Sequence, residues 1–259
     1  MSEKNRDGKR TARERMAIER EKQRAADKRR RALIVGASVV CVLALAAVVG
    51  VLAANAGKGG KQSDSAGPAV APSGAVGKDG LAIPVGRDSA KSTLTVWEDF
   101  RCPACAAFET AYRPTIHQLV DAGKLKVEYH LVTLIDGNLG GSGSRRAANA
   151  AACAQDAGKF LSYHDTLYRN QPQETQDSFG DDDKLIGLAG KVPGLDTPAF
   201  RKCVEDGKHN GWVAKSNAAF RKGGFPGTPT VLFGGKNIYA DRTMTPAKLK
   251  LMVEAATKR

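Results

Sequence analysis

Cys102-Pro103-Ala104-Cys105 joins a strand-like segment, residues 94–100, to a segment with the periodicity of a helix. Proline at the start of a helix costs no hydrogen bond, because the first helical amides have no partner within the helix. The same unpaired amides, together with the positive end of the helix dipole, face the first sulfur and favour its thiolate. The stretch therefore has the physical features of a redox-active dithiol.

The spacing of Cys102 and Cys105 is compatible with other kinds of site as well. A zinc site would need two further cysteine or histidine ligands at a suitable spacing, and the sequence contains no second such pair. Covalent haem attachment would need a histidine where the chain has Ala106. A structural disulfide is the remaining alternative, but so short a loop removes little entropy from the unfolded chain and is easily reduced. We predict a redox-active pair that uses no metal and no cofactor.

The net charge of +13 is concentrated near the N-terminus. Residues 1–31 contain 13 Lys and Arg against 6 Asp and Glu, whereas residues 81–259 contain 24 against 19. This distribution is typical of a solvated basic tail, which we place in the cytoplasm, and we expect no nucleic-acid partner.

An uncharged run at residues 32–54 follows the basic tail. As a helix it would extend about 34 Å at ~1.5 Å per residue, enough to cross a bilayer. The arginines at 29–31 predict that the N-terminus is cytoplasmic and the rest of the chain lies outside. A cleaved signal peptide is the alternative, since Ala54-Asn55-Ala56 resembles a peptidase site, but the run exceeds the usual ~7–15 residues. We predict an uncleaved, single-pass anchor in the cell membrane, in contact with its lipid.

Residues 55–80 are rich in Gly, Ser, Ala and Pro, a composition that cannot bury a core and predicts a flexible linker. Residues 81–259 then show a folded pattern: two strands, a helix, a strand, a helical block at about 142–224, a hairpin and a last helix. The Leu-Ala-Ile-Pro-Val run that opens this region is predicted as an edge strand because of its proline. We therefore predict an α/β domain.

Cys153 and Cys203 lie on separate predicted helices of the helical block. Cysteines outside the cytoplasm tend to be paired, and these two remain once Cys102 and Cys105 are paired. A bridge over a loop of this length could stabilise the fold by roughly 4 kcal/mol. A structural disulfide is the favoured interpretation, and a pair that relays electrons is the alternative.

A family resemblance follows from three features taken together. Glu98-Asp99-Phe100-Arg101-Cys102-Pro103-Ala104-Cys105 resembles the active-site segment of the DsbA-like branch of the thioredoxin superfamily, and Gly227-Thr228-Pro229-Thr230 resembles its cis-proline loop. The helical block between them is similar to the insertion that separates DsbA-like proteins from plain thioredoxins. The resemblance covers roughly residues 81–259 and implies a thioredoxin fold with an inserted helical domain.

The resemblance also implies roles for individual residues. Cys102 would be the exposed nucleophile, and the more buried Cys105 would resolve the mixed disulfide. Pro229 would be cis, and Thr228 would offer its backbone to a substrate strand.

One position departs from the family pattern. The buried acid that many members carry six residues before the first cysteine is replaced by Val96. Glu98 lies on the same face of the strand, and we hypothesise that it is the proton shuttle. The four histidines receive no role.

The sequence thus predicts a membrane-tethered thiol–disulfide oxidoreductase that oxidises thiols in exported proteins and is recycled by a membrane redox partner. Arg101 is expected to supply positive potential in place of the histidine that strong oxidants carry between their cysteines. An extracytoplasmic reductase or isomerase is one alternative. A tethered binding module that kept the fold without the chemistry is another, although the intact cysteines and proline argue against it.

Overall fold

The computed structural model describes residues 67–257. The predicted basic tail, the predicted anchor at 32–54 and the linker up to residue 66 lie outside the described residues. Among the residues that are described, no helix is both long and apolar enough to cross a membrane.

Five strands form one sheet at the centre of the domain, in the order β1-β3-β2-β4-β5. β2 and β3 run parallel, and the other neighbouring strands are antiparallel. The proline-containing strand lies at the edge, as predicted. The strands are β1 (Ile83–Val85), β2 (Ser92–Glu98), β3 (Leu125–Leu131), β4 (Thr230–Phe233) and β5 (Lys236–Asn237).

Eight helices accompany this sheet within residues 67–257. Three of them begin after a residue whose side chain caps the first turn: Asp181 before α5, Thr197 before α6 and Thr245 before α8. The helices are α1 (Pro103–Asp121), α2 (Leu134–Leu139), α3 (Gly143–Asp156), α4 (Phe160–Arg169), α5 (Asp182–Ala189), α6 (Pro198–Glu205), α7 (Asn210–Lys222) and α8 (Pro246–Thr257).

The order of elements agrees with the sequence prediction, but two boundaries differ. The helical block starts at Leu134 rather than near residue 142, because the chain enters α2 soon after β3 ends. The second strand of the hairpin contains only Lys236 and Asn237, so most of the segment predicted as strand is a loop. Buried side chains of the sheet, of α1 and α8, and of the inserted helices belong to one hydrophobic cluster, so the insertion shares the core of the domain.

The folded domain begins earlier than the predicted boundary at Leu81. Asp156 accepts hydrogen bonds from the backbone N–H and the hydroxyl of Ser73, at 2.8 and 3.0 Å. The indole N–H of Trp212 donates to the carbonyl of Gly80 at 2.7 Å. The last part of the segment predicted as a linker is therefore bound to the domain surface, since its backbone polar groups find partners there.

Candidate active site

The dithiol lies where β2 leads into α1. Cys102 is the N-cap residue and Pro103 the first helical residue, as the sequence predicts. Both cysteines are thiols in this structure. Cys102 is 6% exposed and Cys105 0%. Cys102 is thus less exposed than expected, although it is the more accessible of the two sulfurs.

Thr228 and Pro229 come from the far end of the chain to the first sulfur. The Sγ of Cys102 lies 3.3 Å from the carbonyl oxygen of Thr228, to which it donates when protonated, and the peptide bond between Thr228 and Pro229 is cis. Four of the five predicted catalytic residues therefore meet at one point: the two cysteines, Thr228 and Pro229.

The two sulfurs have opposite acidities. A hydrogen bond from Cys105 and backbone amides at the helix start lower the pKa of Cys102 from 9.0 to about 6, although burial opposes the shift. The pKa of Cys105 is raised well above its usual value by burial and by the negative charges of Cys102 and Glu98. Near neutral pH, Cys102 is therefore a thiolate and Cys105 a thiol, the combination that nucleophilic exchange requires.

Arg101 does not act as the sequence led us to expect. Its side chain is buried, with one guanidinium nitrogen 2.7 Å from a carboxylate oxygen of Asp136 and 3.0 Å from one of Asp177. It also donates to the carbonyl oxygens of Gly140 and Glu174. Because two carboxylates neutralise this cation, its main effect is to hold the loops beside the dithiol, and the low pKa of Cys102 comes from hydrogen bonds instead.

Side chains from the inserted helices and from the turn itself hold the backbone of the active-site segment. The amide of Gln171, just beyond α4, donates to the carbonyl oxygens of Phe100 and Cys102 at 2.9 and 3.0 Å. The carboxylate of Asp99 accepts from the backbone N–H groups of Arg101 and Ile135 at 2.8 and 2.9 Å. These bonds fix the angle at which the chain enters α1, and with it the position of the Cys102 sulfur.

Glu98, the predicted proton shuttle, is completely buried at the end of β2. Its Oε1 lies 2.7 Å from Nε2 of His164, on inserted helix α4. Burial disfavours an imidazolium, but the charges of Glu98 and Glu109 outweigh it and raise the pKa of His164 to about 10. His164 is therefore a cation and the direct partner of Glu98.

The contact between His164 and Glu98 was not predicted, since the sequence analysis gave the histidines no role. The sequence feature that could have indicated a buried histidine is its position four residues after Phe160, on the helix face that carries the apolar stripe. A histidine on such a face is usually an ordinary core residue. Sequence spacing alone could not reveal that a carboxylate 66 residues away would pack against it.

Glu109 is a second buried carboxyl group that sequence reasoning missed. It is one helical turn beyond Cys105 and only 1% exposed. Burial raises its pKa to about 8, so the group is neutral below that pH. Its position four residues after Cys105 was a usable signal, since residues at that spacing share one helix face.

Glu98, Glu109 and His164 together form what we call the proton cluster. One potential metal-ligand atom of each residue lies within 4.8 Å of those of the other two, which is close enough for a metal site to be considered. A metal would displace the hydrogen bond between Glu98 and His164, and the charges already balance without one. We therefore interpret the cluster as a set of groups that share protons.

Cys153 on α3 and Cys203 on α6 are joined by a disulfide, with their Cα atoms 5.9 Å apart. The imidazole of His209 is close to both sulfurs, but sulfurs already bonded to each other are not thiolates available to a metal. The bond links two inserted helices of the same hydrophobic cluster.

Comparisons with known proteins agree with this geometry. The family model described as thioredoxin matches residues 78–255. The probable disulfide bond formation protein D of Bacillus cereus is 27% identical over 154 residues, which cover 58% of this chain and 69% of the relative.

Two solved structures from Mycobacterium tuberculosis are also similar. The reduced disulfide bond oxidoreductase DsbG is 28% identical with a TM-score of 0.60, covering 71% of this chain and 90% of its own. Oxidised DsbA is 28% identical with a TM-score of 0.59, covering 69% and 93%.

The chain belongs to the thioredoxin family, whose model spans most of the described residues. It is a DsbA-like thiol–disulfide oxidoreductase with a thioredoxin-like α/β fold and a helical insertion. The predicted DsbA-like family, the thioredoxin fold with a helical insertion and the enzyme class are confirmed, whereas the predicted transmembrane helix lies outside the described residues.

Proposed function

We propose that this protein introduces disulfides into exported proteins. Cys102 exchanges directly with the substrate, and Cys105 is its resolving partner. In the oxidised enzyme a substrate thiolate attacks the Cys102 sulfur, which releases Cys105. A second substrate thiolate then attacks the mixed disulfide, forms the substrate's own disulfide and leaves Cys102 as a thiolate.

The observation that carries this proposal is the low pKa of Cys102, about 6, beside a Cys105 whose pKa is raised. A stable thiolate is a good leaving group, so a mixed disulfide at Cys102 is easily displaced in favour of a substrate disulfide. A stable reduced form also makes the enzyme disulfide a stronger oxidant. Reduction of substrates needs the opposite bias.

Thr228 and Pro229 form the place where the substrate chain is expected to lie. The Thr228 carbonyl contacts the Cys102 sulfur, and Pro229 has no N–H that could compete for that sulfur. The backbone of Thr228 would pair with an extended substrate segment, as an added strand pairs with a sheet edge.

The uncharged run at 32–54 supports a further part of the proposal, a single-pass anchor in the cell membrane. Arginines on its N-terminal side favour a cytoplasmic basic tail at 1–31 and an extracytoplasmic domain. In this arrangement residues 55–66 tether the enzyme to the bilayer. A membrane redox partner would accept electrons from the dithiol, and exported proteins with free thiols would be the substrates.

Trapping of mixed disulfides tests the proposal. Full-length Cys105→Ala, expressed in a bacterial host, should accumulate disulfide-linked adducts with exported proteins, because Cys102 can attack but nothing resolves the bond. The double variant with Cys102→Ser as well is the matched control and should form none. Adducts equally abundant in both, or absent from the single variant, would contradict the assignment of Cys102.

A further inference from the structure

We propose that Phe225 is a positioning residue for the substrate chain, because it fixes the segment that carries Thr228 beside the Cys102 sulfur. The inference rests on the proposed function, since it concerns the backbone with which an extended substrate would pair. It adds a residue that precedes the Gly-Thr-Pro-Thr motif at residues 227–230 and lies outside it.

A small hydrophobic cluster, separate from the main core, holds the Phe225 ring. Trp97, Val132 and Phe220 are its buried members, and Phe225 packs against them. The centroid of the Phe225 ring lies 5.5 Å from that of Trp97 and 5.5 Å from that of Phe220. Aromatic rings at such separations attract each other beyond the gain from burial alone. We call Trp97, Phe220 and Phe225 the aromatic triad.

Two glycines just beyond α7 bring Phe225 back onto this helix. Gly224 has a φ of 67°, a left-handed conformation that favours glycine. Gly223 leaves room for the ring, because a Cβ atom on it would lie 2.6 Å from Cε2 of Phe225. The chain therefore turns back at once, and the Phe225 ring lies against Phe220 of the same helix.

The ring of Trp97 is itself held in place by the sheet. It stacks on the imidazole of His130, with the ring centroids 3.8 Å apart and 13° between the planes. Burial lowers the pKa of His130 to about 4, so near neutral pH this stack carries no charge. Trp97 and His130 are paired across the parallel strands β2 and β3. The aromatic triad is therefore attached to two strands of the sheet.

Trp97 also holds the other end of the loop that follows Phe225. Its backbone pairs with Thr230 on β4. The hydroxyl of Thr230 donates to the carbonyl oxygen of Gly227 at 2.7 Å. Residues 226–229 are thus held at one end by the Phe225 ring and at the other by β4, in both cases against Trp97.

This loop contacts the dithiol between its two fixed ends. The carbonyl oxygen of Thr228 lies 3.3 Å from the Cys102 sulfur. Trp97 belongs to β2, the strand that leads into the helix of the dithiol, so one residue sets the positions of both the loop and Cys102. Because Cys102 is only 6% exposed, a displacement of the loop would change both the access to its sulfur and the place of the substrate chain.

A polypeptide substrate depends on this geometry more than a small thiol does. The polypeptide would pair with the backbone of Thr228, and a displacement of about 1 Å would misalign its hydrogen bonds and its sulfur together. A small dithiol such as dithiothreitol makes no such backbone contact. Phe225 therefore favours the reaction with polypeptide thiols over the reaction with small thiols.

The rates of reaction with two substrates test this inference. The oxidised full-length protein is mixed with dithiothreitol or with an unstructured peptide that contains two cysteines. After an acid quench, the free thiols at Cys102 and Cys105 are alkylated and counted by mass spectrometry. The ratio of the second-order rate constants, peptide over dithiothreitol, measures the advantage of the polypeptide. For Phe225→Ala this ratio should fall by about 10- to 100-fold, with the dithiothreitol rate within about twofold of the wild type.

Two further variants separate positioning from a loss of folding stability. Phe225→Tyr keeps the ring, and its hydroxyl can reach solvent because Phe225 is half-buried, so the ratio should match the wild type. Gly223→Ala keeps Phe225 but displaces its ring through the 2.6 Å contact, so the ratio should fall as in Phe225→Ala. Gly223→Ala also carries the test if Phe225→Ala does not fold.

Matched controls come from positions outside the aromatic triad. Phe233→Ala removes another half-buried phenylalanine, at the far end of β4. Gly187→Ala adds a methyl group on α5 at a position where a Cβ atom meets nothing within 4 Å. Both variants should keep the wild-type ratio.

The outcomes separate this inference from the proposed function. If Phe225→Ala and Gly223→Ala slow both substrates equally, or leave the ratio unchanged, while the wild type oxidises the peptide, only the role of Phe225 is refuted. If the wild type reacts with dithiothreitol but does not oxidise the peptide, the proposed function fails, and this inference fails with it.

Discussion

Replacing Glu109 by glutamine is expected to stabilise the protein at pH 8 while leaving it almost unchanged at pH 4. In the unfolded chain this carboxyl group ionises as pH rises through about 4.5, whereas in the fold it stays neutral until about pH 8. Between these values the unfolded state gains a favourable ionisation that the folded state lacks, so the free energy of unfolding falls as pH rises. Glutamine never ionises, and the penalty disappears.

The pKa values set an upper limit on the size of the effect. A shift from 4.5 to about 8 corresponds, at about 1.36 kcal/mol per unit, to a limit of roughly 5 kcal/mol. Because Glu109 shares its environment with Glu98 and His164, part of the shift belongs to the cluster. We therefore expect about 2–3 kcal/mol at pH 8, decreasing towards zero at pH 4.

Urea unfolding of the reduced protein at pH 4, 6 and 8 measures this difference. Glu128→Gln controls for removing a carboxylate elsewhere and should show no comparable trend with pH. Destabilisation of Glu109→Gln at pH 8 would refute the reasoning, since it would mean that Glu109 is ionised and paired in the fold. A gain that is the same at every pH would also refute it.

Three further changes have defined outcomes. His164→Gln leaves a buried carboxylate unpaired and should lower the free energy of unfolding, measured in urea at pH 6, by about 3–5 kcal/mol. The fold raises the pKa of His164 from 6.5 to about 10, so this loss should become smaller as pH rises from 6.5 to 10. Arg101→Met should loosen the neighbouring loops, which faster hydrogen exchange would detect. The alkylation rate of Cys102 should still reach half its maximum near pH 6. A midpoint of the alkylation profile near pH 9 would restore the electrostatic role first expected for Arg101. Cys153→Ala with Cys203→Ala should lower the free energy of unfolding by about 2–5 kcal/mol with unchanged exchange activity, whereas lost activity would favour electron relay.

Local patterns were sufficient to predict the overall fold. The proline in β1 predicted an edge strand, and Pro103 after Cys102 predicted the start of α1, because each depends on neighbours within a few residues. The predicted partners Thr228 and Cys102 came from the family resemblance rather than from local pattern.

Features that depend on distant packing were missed. The first turn of α2 is held by Asp99, which accepts from the N–H of Ile135, and the binding of Ser73 depends on Asp156, 83 residues away. His164 meets Glu98 only because an inserted helix packs against the end of β2. Composition correctly marked residues 67–80 as poor in core residues, but backbone hydrogen bonds to the domain need no apolar side chain.

The reduction potential of the Cys102–Cys105 pair tests the central claim most directly. It can be measured by equilibrating the protein with glutathione buffers and counting alkylated thiols at these two positions. A thiolate stabilised at Cys102 predicts an oxidising pair, with a potential near DsbA's ~−120 mV. A potential near thioredoxin's ~−270 mV would contradict the claim that this enzyme introduces disulfides into other proteins.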